Sequence, residues 1–144
     1  MTTVNTYLTF NGNCEEAFNF YKAAFGGDFA FIGKFKDMPQ TDPNCKLEES
    51  ELNKIMHIAL PVGNTMLMGS DAGGEWAEGV KVGTNFSVSI NTDSKDEADR
   101  LFNALSAGGK VLMPMNKTFW DSYFGMFSDK FNIQWMVSFD ANPK

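Results

Sequence analysis

The sequence predicts an α+β fold of two tandem β-α-β-β-β modules, forming a curved mixed-sheet cup with helices on the outside. Three observations predict it. A strand, an amphipathic helix and a Gly-Gly stop occur twice; the segments after each helix alternate in polarity as strands do; and 144 residues suit one compact unit of two half-modules. The expected division is residues 1–72 as the first module, 73–83 as a glycine-rich linker and 84–144 as the second module.

The repeat is read directly from the residues. Leu8-Thr9-Phe10-Asn11 is matched by Val88-Ser89-Ile90-Asn91 at an offset of 80 residues, and Glu16-Ala17 by Glu97-Ala98 at 81. Phe20-Tyr21 is matched by Leu101-Phe102 at 81, and Gly26-Gly27 by Gly108-Gly109 at 82. The first helix is expected to start at Asn13 as N-cap, with Glu15 and Glu16 facing the positive end of its dipole. Ala17, Phe20, Tyr21, Ala24 and Phe25 recur at helical spacing as one buried stripe. The second helix opens on Ser94-Lys95-Asp96-Glu97, which has the form of a capping box, and Ala98, Leu101, Phe102 and Leu105 supply its stripe. Gly26 and Gly108 suit the left-handed backbone that ends a helix.

Three strands are expected after the first helix: 29–36, 54–62 and 65–68, the last two joined by a turn at Gly63-Asn64. The proline-bearing, charged stretch 37–52 reads as an irregular excursion. After the second helix come strands at 110–113, 119–128 and 133–139, with 129–132 as the last turn. The segment 69–83 reads as the join between halves.

Composition excludes several partners. Twelve basic against eighteen acidic residues give a net charge of −6, and the basic residues form no stripe, so nucleic acid and anionic membrane surfaces are not expected partners. The first residues, Met1-Thr2-Thr3-Val4-Asn5, hold neither a basic leader nor an apolar signal core, and no run reaches the length of a membrane span. Cys14 and Cys45 form no Cys-x-x-Cys pair and read as free thiols of a reducing compartment, so the expected location is cytoplasmic. Fourteen Phe and nine Met provide large, adaptable groups for a core, a pocket or a subunit interface.

Alternation then assigns faces. Leu8 and Phe10 are expected under the first helix, leaving Asn5, Tyr7 and Thr9 opposite; Phe86, Val88 and Ile90 are expected under the second, leaving Asn85, Ser87 and Ser89 opposite. Met56, Ile58, Leu60 and Val62 alternate with Ile55, His57 and Ala59. Trp135 and Val137 alternate with Gln134, Met136 and Ser138. The face without helices therefore carries Asn5, Tyr7, His57, Asn85, Ser87 and Gln134, with Trp120 and Tyr123 nearby. These eight residues are the candidate ligand-binding set, a solvated sheet face being the plain alternative.

Several further side chains admit two roles. His57 is either a pocket base or hydrogen-bond donor, or a fixed polar group on the sheet. Trp120 and Tyr123 stack on a ligand, pack in a core or sit in an interface. Trp76 is either a lid or an anchor for the linker. Glu48, Glu49 and Glu51 read as paired carboxylates for acid-base work or as a solvated face. Cys14 sits beside a helix start, where a dipole can activate a thiol and burial can silence it. No phosphate-binding loop, dinucleotide fingerprint, His-Glu-x-x-His or Gly-x-Ser-x-Gly occurs.

The stretch Thr6-Tyr7-Leu8-Thr9-Phe10-Asn11-Gly12, followed by Cys14-Glu15-Glu16-Ala17 and Phe20-Tyr21, resembles the PhnB-like branch of the vicinal-oxygen-chelate superfamily, which includes glyoxalase I, bleomycin-resistance proteins and extradiol dioxygenases. Lys54-Ile55-Met56-His57, 85–91, Lys117-Thr118-Phe119-Trp120, Phe124-Gly125-Met126-Phe127 and Gln134-Trp135-Met136 extend the resemblance over nearly the whole chain. It implies the paired β-α-β-β-β fold and a homodimer. Metal-dependent members place His and Glu or similar ligands on the first and last strands of each half. Asn5 or Thr6, Leu67 or Met68, Asn85 and Met136 stand there in this chain, so no metal and no cofactor are expected. The methyltransferase name that some members of this branch carry has no glycine-rich strand-to-helix turn here to support it.

The expected function is metal-independent binding of a small, partly apolar molecule in the cup. The alternatives are a lyase, isomerase or dioxygenase of the superfamily with an atypical site, and a structural or regulatory dimer with a vestigial cup.

Overall fold

The computed structural model describes residues 2–37, 49–73 and 79–140. Cys45, Glu48 and Trp76 lie outside the described residues. Two compact units divide the chain, Met1–Lys81 and Val82–Lys144. Each is an α+β module with one four-stranded mixed sheet and one long helix.

The first module runs β1 (Thr6–Phe10), α1 (Cys14–Phe25), β2 (Phe31–Lys34), β3 (Ile55–Val62) and β4 (Thr65–Asp71), with 3-10 turns at Phe35–Asp37 and Glu49–Glu51. Its strand order is β1-β4-β3-β2, in which β1 pairs parallel with β4 and the other pairs are antiparallel. The second module runs β5 (Val88–Asn91), α2 (Lys95–Ser106), β6 (Lys110–Lys117), β7 (Tyr123–Ser128) and β8 (Gln134–Phe139). Its order, β5-β8-β7-β6, repeats the first with the same single parallel pair.

Helix α1 lies across β3 and β4, and α2 across β6, β7 and β8. Alternation along the strands decides what they cover. Leu8, Phe10, Ile58, Leu60 and Leu67 are buried in the first module, Phe127, Trp135 and Val137 in the second. The two helices contribute Ala17, Phe18, Tyr21 and Ala24, and Ala98, Leu101, Phe102 and Leu105. In each sheet a glycine brings a helix aromatic down onto the strands. A Cβ at Gly69 would lie 2.7 Å from the Phe18 ring, and one at Gly125 2.8 Å from the Phe102 ring.

Helix α2 starts as expected. Ser94 Oγ accepts a hydrogen bond from Glu97 N at 3.1 Å, while the Glu97 carboxylate turns to Arg100 instead of reaching back. That guanidinium holds the Glu97 carboxyl below the usual carboxylate range. Helix α1 corrects the expectation. Asn13 is the N-cap residue, but its side chain makes no capping hydrogen bond. The carboxylate of Asp71, 4 % exposed at the end of β4, takes that role. Its Oδ1 accepts from Gly12 N at 2.9 Å and Cys14 N at 3.0 Å, and its Oδ2 from Ile55 N at 2.9 Å. One side chain thus ties together the helix start, β3 and β4. Asp129 plays a comparable part in the second module, accepting from Phe131 N, Ile133 N and Trp135 Nε1 at 2.8, 3.0 and 2.8 Å.

Other local expectations also shift. The buried stripe of α1 takes in Phe18, fully covered, while Phe20 and Phe25 are half-exposed. Phe86 precedes β5 and is 63 % exposed, because β5 starts only at Val88. Strand β6 continues to Lys117, and Phe119 and Trp120 lie in the turn before β7 rather than in a strand. In β3 the register skips Met56 opposite Gly33 and Lys34, and Ile55 is fully buried rather than sharing the open face with His57. Gly26 and Gly108 both have positive φ, 81° and 77°, but Gly26 pairs it with ψ −175° instead of the left-handed helical value.

Cys14 is fully buried at the start of α1. Burial, reinforced by the negative charges of Asp71 and Glu15, pushes its thiol far above the ordinary value. A thiol whose folded pKa is raised contributes stability that is complete below the unfolded pKa of about 8.5 and lost as pH rises beyond it. Wild-type protein is therefore expected to lose about 1.4 kcal/mol per pH unit above that point relative to Cys14→Ala. Urea titrations of both proteins at pH 7 and pH 10 measure this, and parallel pH profiles would contradict it.

Candidate functional site

The helices cover one face of each sheet, and the other face carries Tyr7 and His57 in the first module and Gln134 in the second. In the first module, register aligns Tyr7 of β1, Met68 of β4, Ala59 of β3 and Phe31 of β2 in one row. One row on, Ser70 sits beside Thr9 and His57 beside Gly33. Here the rings gather. Tyr7 stacks on His57 with centroids 5.8 Å apart and planes 23° apart, and Phe31 lies 5.6 Å from His57 on its other flank. Tyr7 Oη donates to Ser70 Oγ at 2.9 Å, which holds its ring against the sheet. Tyr7 and Phe31 are 47 % and 49 % exposed. Two half-exposed rings on either side of an imidazole form a platform with an apolar surface and polar edges.

Asn5 lies just before β1, with Oδ1 accepting from Met66 N at 3.2 Å, and is exposed. In the second module, Asn85 and Ser87 lie on the segment leading into β5, exposed and half-buried. Gln134 opens β8, and its Nε2 donates to the Gly83 carbonyl at 2.7 Å, so its amide fastens that incoming segment. Trp120 sits in the β6–β7 turn, 52 % exposed, its ring 6.1 Å from Phe124 and 4.8 Å from Phe119.

Tyr123 is set apart from the others. Its hydroxyl donates to Asp99 of α2 at 2.6 Å, which directs it to the helix side of the sheet. That bond to a carboxylate raises the phenol above its ordinary value.

Sequence reasoning did not single out Phe31 or Ser70, and it missed a row in the second module. Register places Ser89 of β5, Met136 of β8, Met126 of β7 and Met113 of β6 side by side on the helix-free face. Phe124 stands one row away on β7, and Ser138 and Gln134 flank Met136 on β8. The face thus has an apolar centre and a hydroxyl and amide rim, the anatomy of small-molecule sites. Period-two alternation marks which face these residues share; only strand pairing shows that they are neighbours.

A metal of the kind used by glyoxalases fits this donor set poorly. The matched strand positions carry Asn5, Thr6, Leu67, Met68, Asn85 and Met136, and among the described residues no three His, Cys, Asp or Glu side chains cluster. His57 has aromatic rings, not carboxylates, on both sides.

Comparison with known proteins agrees with this architecture. A family described as 3-demethylubiquinone-9 3-methyltransferase matches residues 2–138. Protein YjdN of Escherichia coli (strain K12) is 29 % identical over 140 residues, spanning 94 % of this chain and 93 % of its own. Protein PA1353 from Pseudomonas aeruginosa, a crystal structure, is 41 % identical with a TM-score of 0.80, covering 97 % of this chain and 98 % of that one. A glyoxalase-related enzyme from Fulvimarina pelagi shares the fold at 18 % identity, TM-score 0.61, covering 97 % and 89 % of the two chains. With a repeated β-α-β-β-β module and a match from residue 2 to 138, the chain belongs to the family described as 3-demethylubiquinone-9 3-methyltransferase, and it shares its fold with a glyoxalase-related enzyme.

Proposed function

We propose that this chain binds a small, partly apolar molecule on the helix-free faces of its sheets, using side chains alone. The observation that carries the reading is the exposed ring platform of Tyr7, His57 and Phe31. Half-exposed aromatics held in place by stacking and a hydrogen bond to Ser70 offer apolar area at little further ordering cost. Methyl transfer, named in the family's description, is not the favoured chemistry. The β1–α1 connection is Asn11-Gly12-Asn13, not a glycine-rich turn, and the parallel pairs are β1–β4 and β5–β8 rather than a parallel sheet.

The neutral fluorescent probe N-phenyl-1-naphthylamine tests the reading. It is expected to bind saturably to the folded protein, and the double variant Tyr7→Ala, His57→Ala to bind it about tenfold more weakly, which is a loss of one or two ring contacts. A probe signal that never saturates, or one the double variant leaves unchanged, would reject it.

The same reading makes the protein a cytoplasmic homodimer. Val111 and Leu112, 46 % and 49 % exposed on the edge strand β6, are the apolar surface that supports pairing. Sedimentation velocity is expected to give twice the chain mass, falling to one chain mass in Leu112→Glu; a wild-type monomer would count against it.

A further inference from the structure

The methionine row of the second module says what kind of molecule its face suits. Met113, Met126 and Met136 stand on three adjacent strands in one register row, with Cβ atoms of neighbours about 4.5–5.5 Å apart. Three of the chain's nine methionines are therefore contiguous. Met126 and Met136 are half-buried and Met113 is 45 % exposed, so the thioethers make a surface rather than a core. Phe124 and Trp120 rise beside them in edge-on contact. Met113 and Trp120 also line a groove of about 500 Å³ that runs along β6 and the following turn, beside the row. Thioether sulfur is polarisable and favours contact with aromatic rings over contact with saturated carbon of the same bulk.

We infer that the methionine row is the floor of a subsite for a flat aromatic ring, walled by Phe124 and Trp120, with a hydroxyl or carbonyl group of the ligand meeting Ser89 at the rim. This rests on the small-molecule reading above and narrows it to one chemical class. A saturated ring system of the same size gains the burial but not the sulfur and edge-on ring contacts. Discrimination between the two is what this floor adds to a plain apolar patch.

The test compares 2-naphthol with trans-decahydro-2-naphthol, which share a hydroxyl and a fused bicyclic frame and differ in aromaticity. With protein labelled at the methionine methyl carbons, 2-naphthol is expected to move the methyl resonances of Met113, Met126 and Met136 upfield, as a ring stacked over them requires. It is also expected to bind several-fold more tightly than the saturated alcohol. Met126→Leu conserves volume and removes the sulfur, and is expected to weaken 2-naphthol two- to tenfold while leaving the saturated alcohol unchanged. Equal affinity for the two alcohols, or shifts confined to other methionines, overturns the inference and leaves the broader reading standing. Failure of both alcohols and of N-phenyl-1-naphthylamine to bind wild-type protein overturns both.

Discussion

Replacing Asp71 with alanine is expected to destabilise the first module by about 3–5 kcal/mol. The carboxylate accepts three backbone hydrogen bonds, from Gly12, Cys14 and Ile55, and is itself 4 % exposed. Alanine leaves those amides facing a space with no acceptor, and each orphaned buried donor costs about 1–3 kcal/mol. Against a total folding stability of about 5–15 kcal/mol, this is a large fraction. Asp71→Asn separates charge from geometry. The amide oxygen can still serve Gly12 and Cys14, but its NH₂ then confronts the Ile55 N–H, so an intermediate loss is expected. Urea denaturation followed by circular dichroism measures all three proteins. A loss under about 1 kcal/mol in the alanine variant would mean the carboxylate is not holding the helix start.

The second large effect is expected at the turn into β6. A Cβ at Gly109 would lie 2.1 Å from the Ser128 carbonyl oxygen and 2.8 Å from the Asp129 carbonyl carbon. Both are backbone atoms, so no side-chain rotation relieves the overlap. Gly109→Ala must push the end of β7 away, and with it Asp129, whose carboxylate gathers Phe131, Ile133 and the Trp135 indole. Overpacking costs about 1–3 kcal/mol by itself, and strained hydrogen bonds at Asp129 bring the expected loss to about 3 kcal/mol or more. Trp135 is 1 % exposed, so its emission reports the disturbance alongside the unfolding midpoint. Wild-type stability with an unchanged tryptophan spectrum would show that the turn accommodates a methyl group.

These two residues mark where the sequence was readable and where it was not. The repeat, the succession of elements along each module and the faces of Leu8, Phe10, Trp135 and Val137 follow from periodicity, because each is a local pattern that burial enforces. The Ser94 cap of α2 is equally local. Asp71 is not, since it caps a helix that begins 57 residues earlier. Phe18 and Phe20 flank the same stripe at helical spacing, and the absence of a side chain at Gly69 on β4 decides which of them is buried. In the site, Tyr7 and His57 were legible as members of the open face, but their stacking, the flank supplied by Phe31 and the methionine row all depend on register. A single strand's alternation carries no information about register.

The parallel pairing of β1 with β4 also sets an order on synthesis. Thr6 aligns with Leu67, so β1 waits for 61 more residues before its partner exists. At translation rates of about 5–20 residues per second, that is a delay of roughly 3–12 s. The β3–β4 hairpin, built from neighbours in sequence, can form as soon as it emerges, and β1 then docks along its free edge. Through that interval the edge of β1 has no strand to pair with, which leaves its backbone groups for water or a chaperone to satisfy.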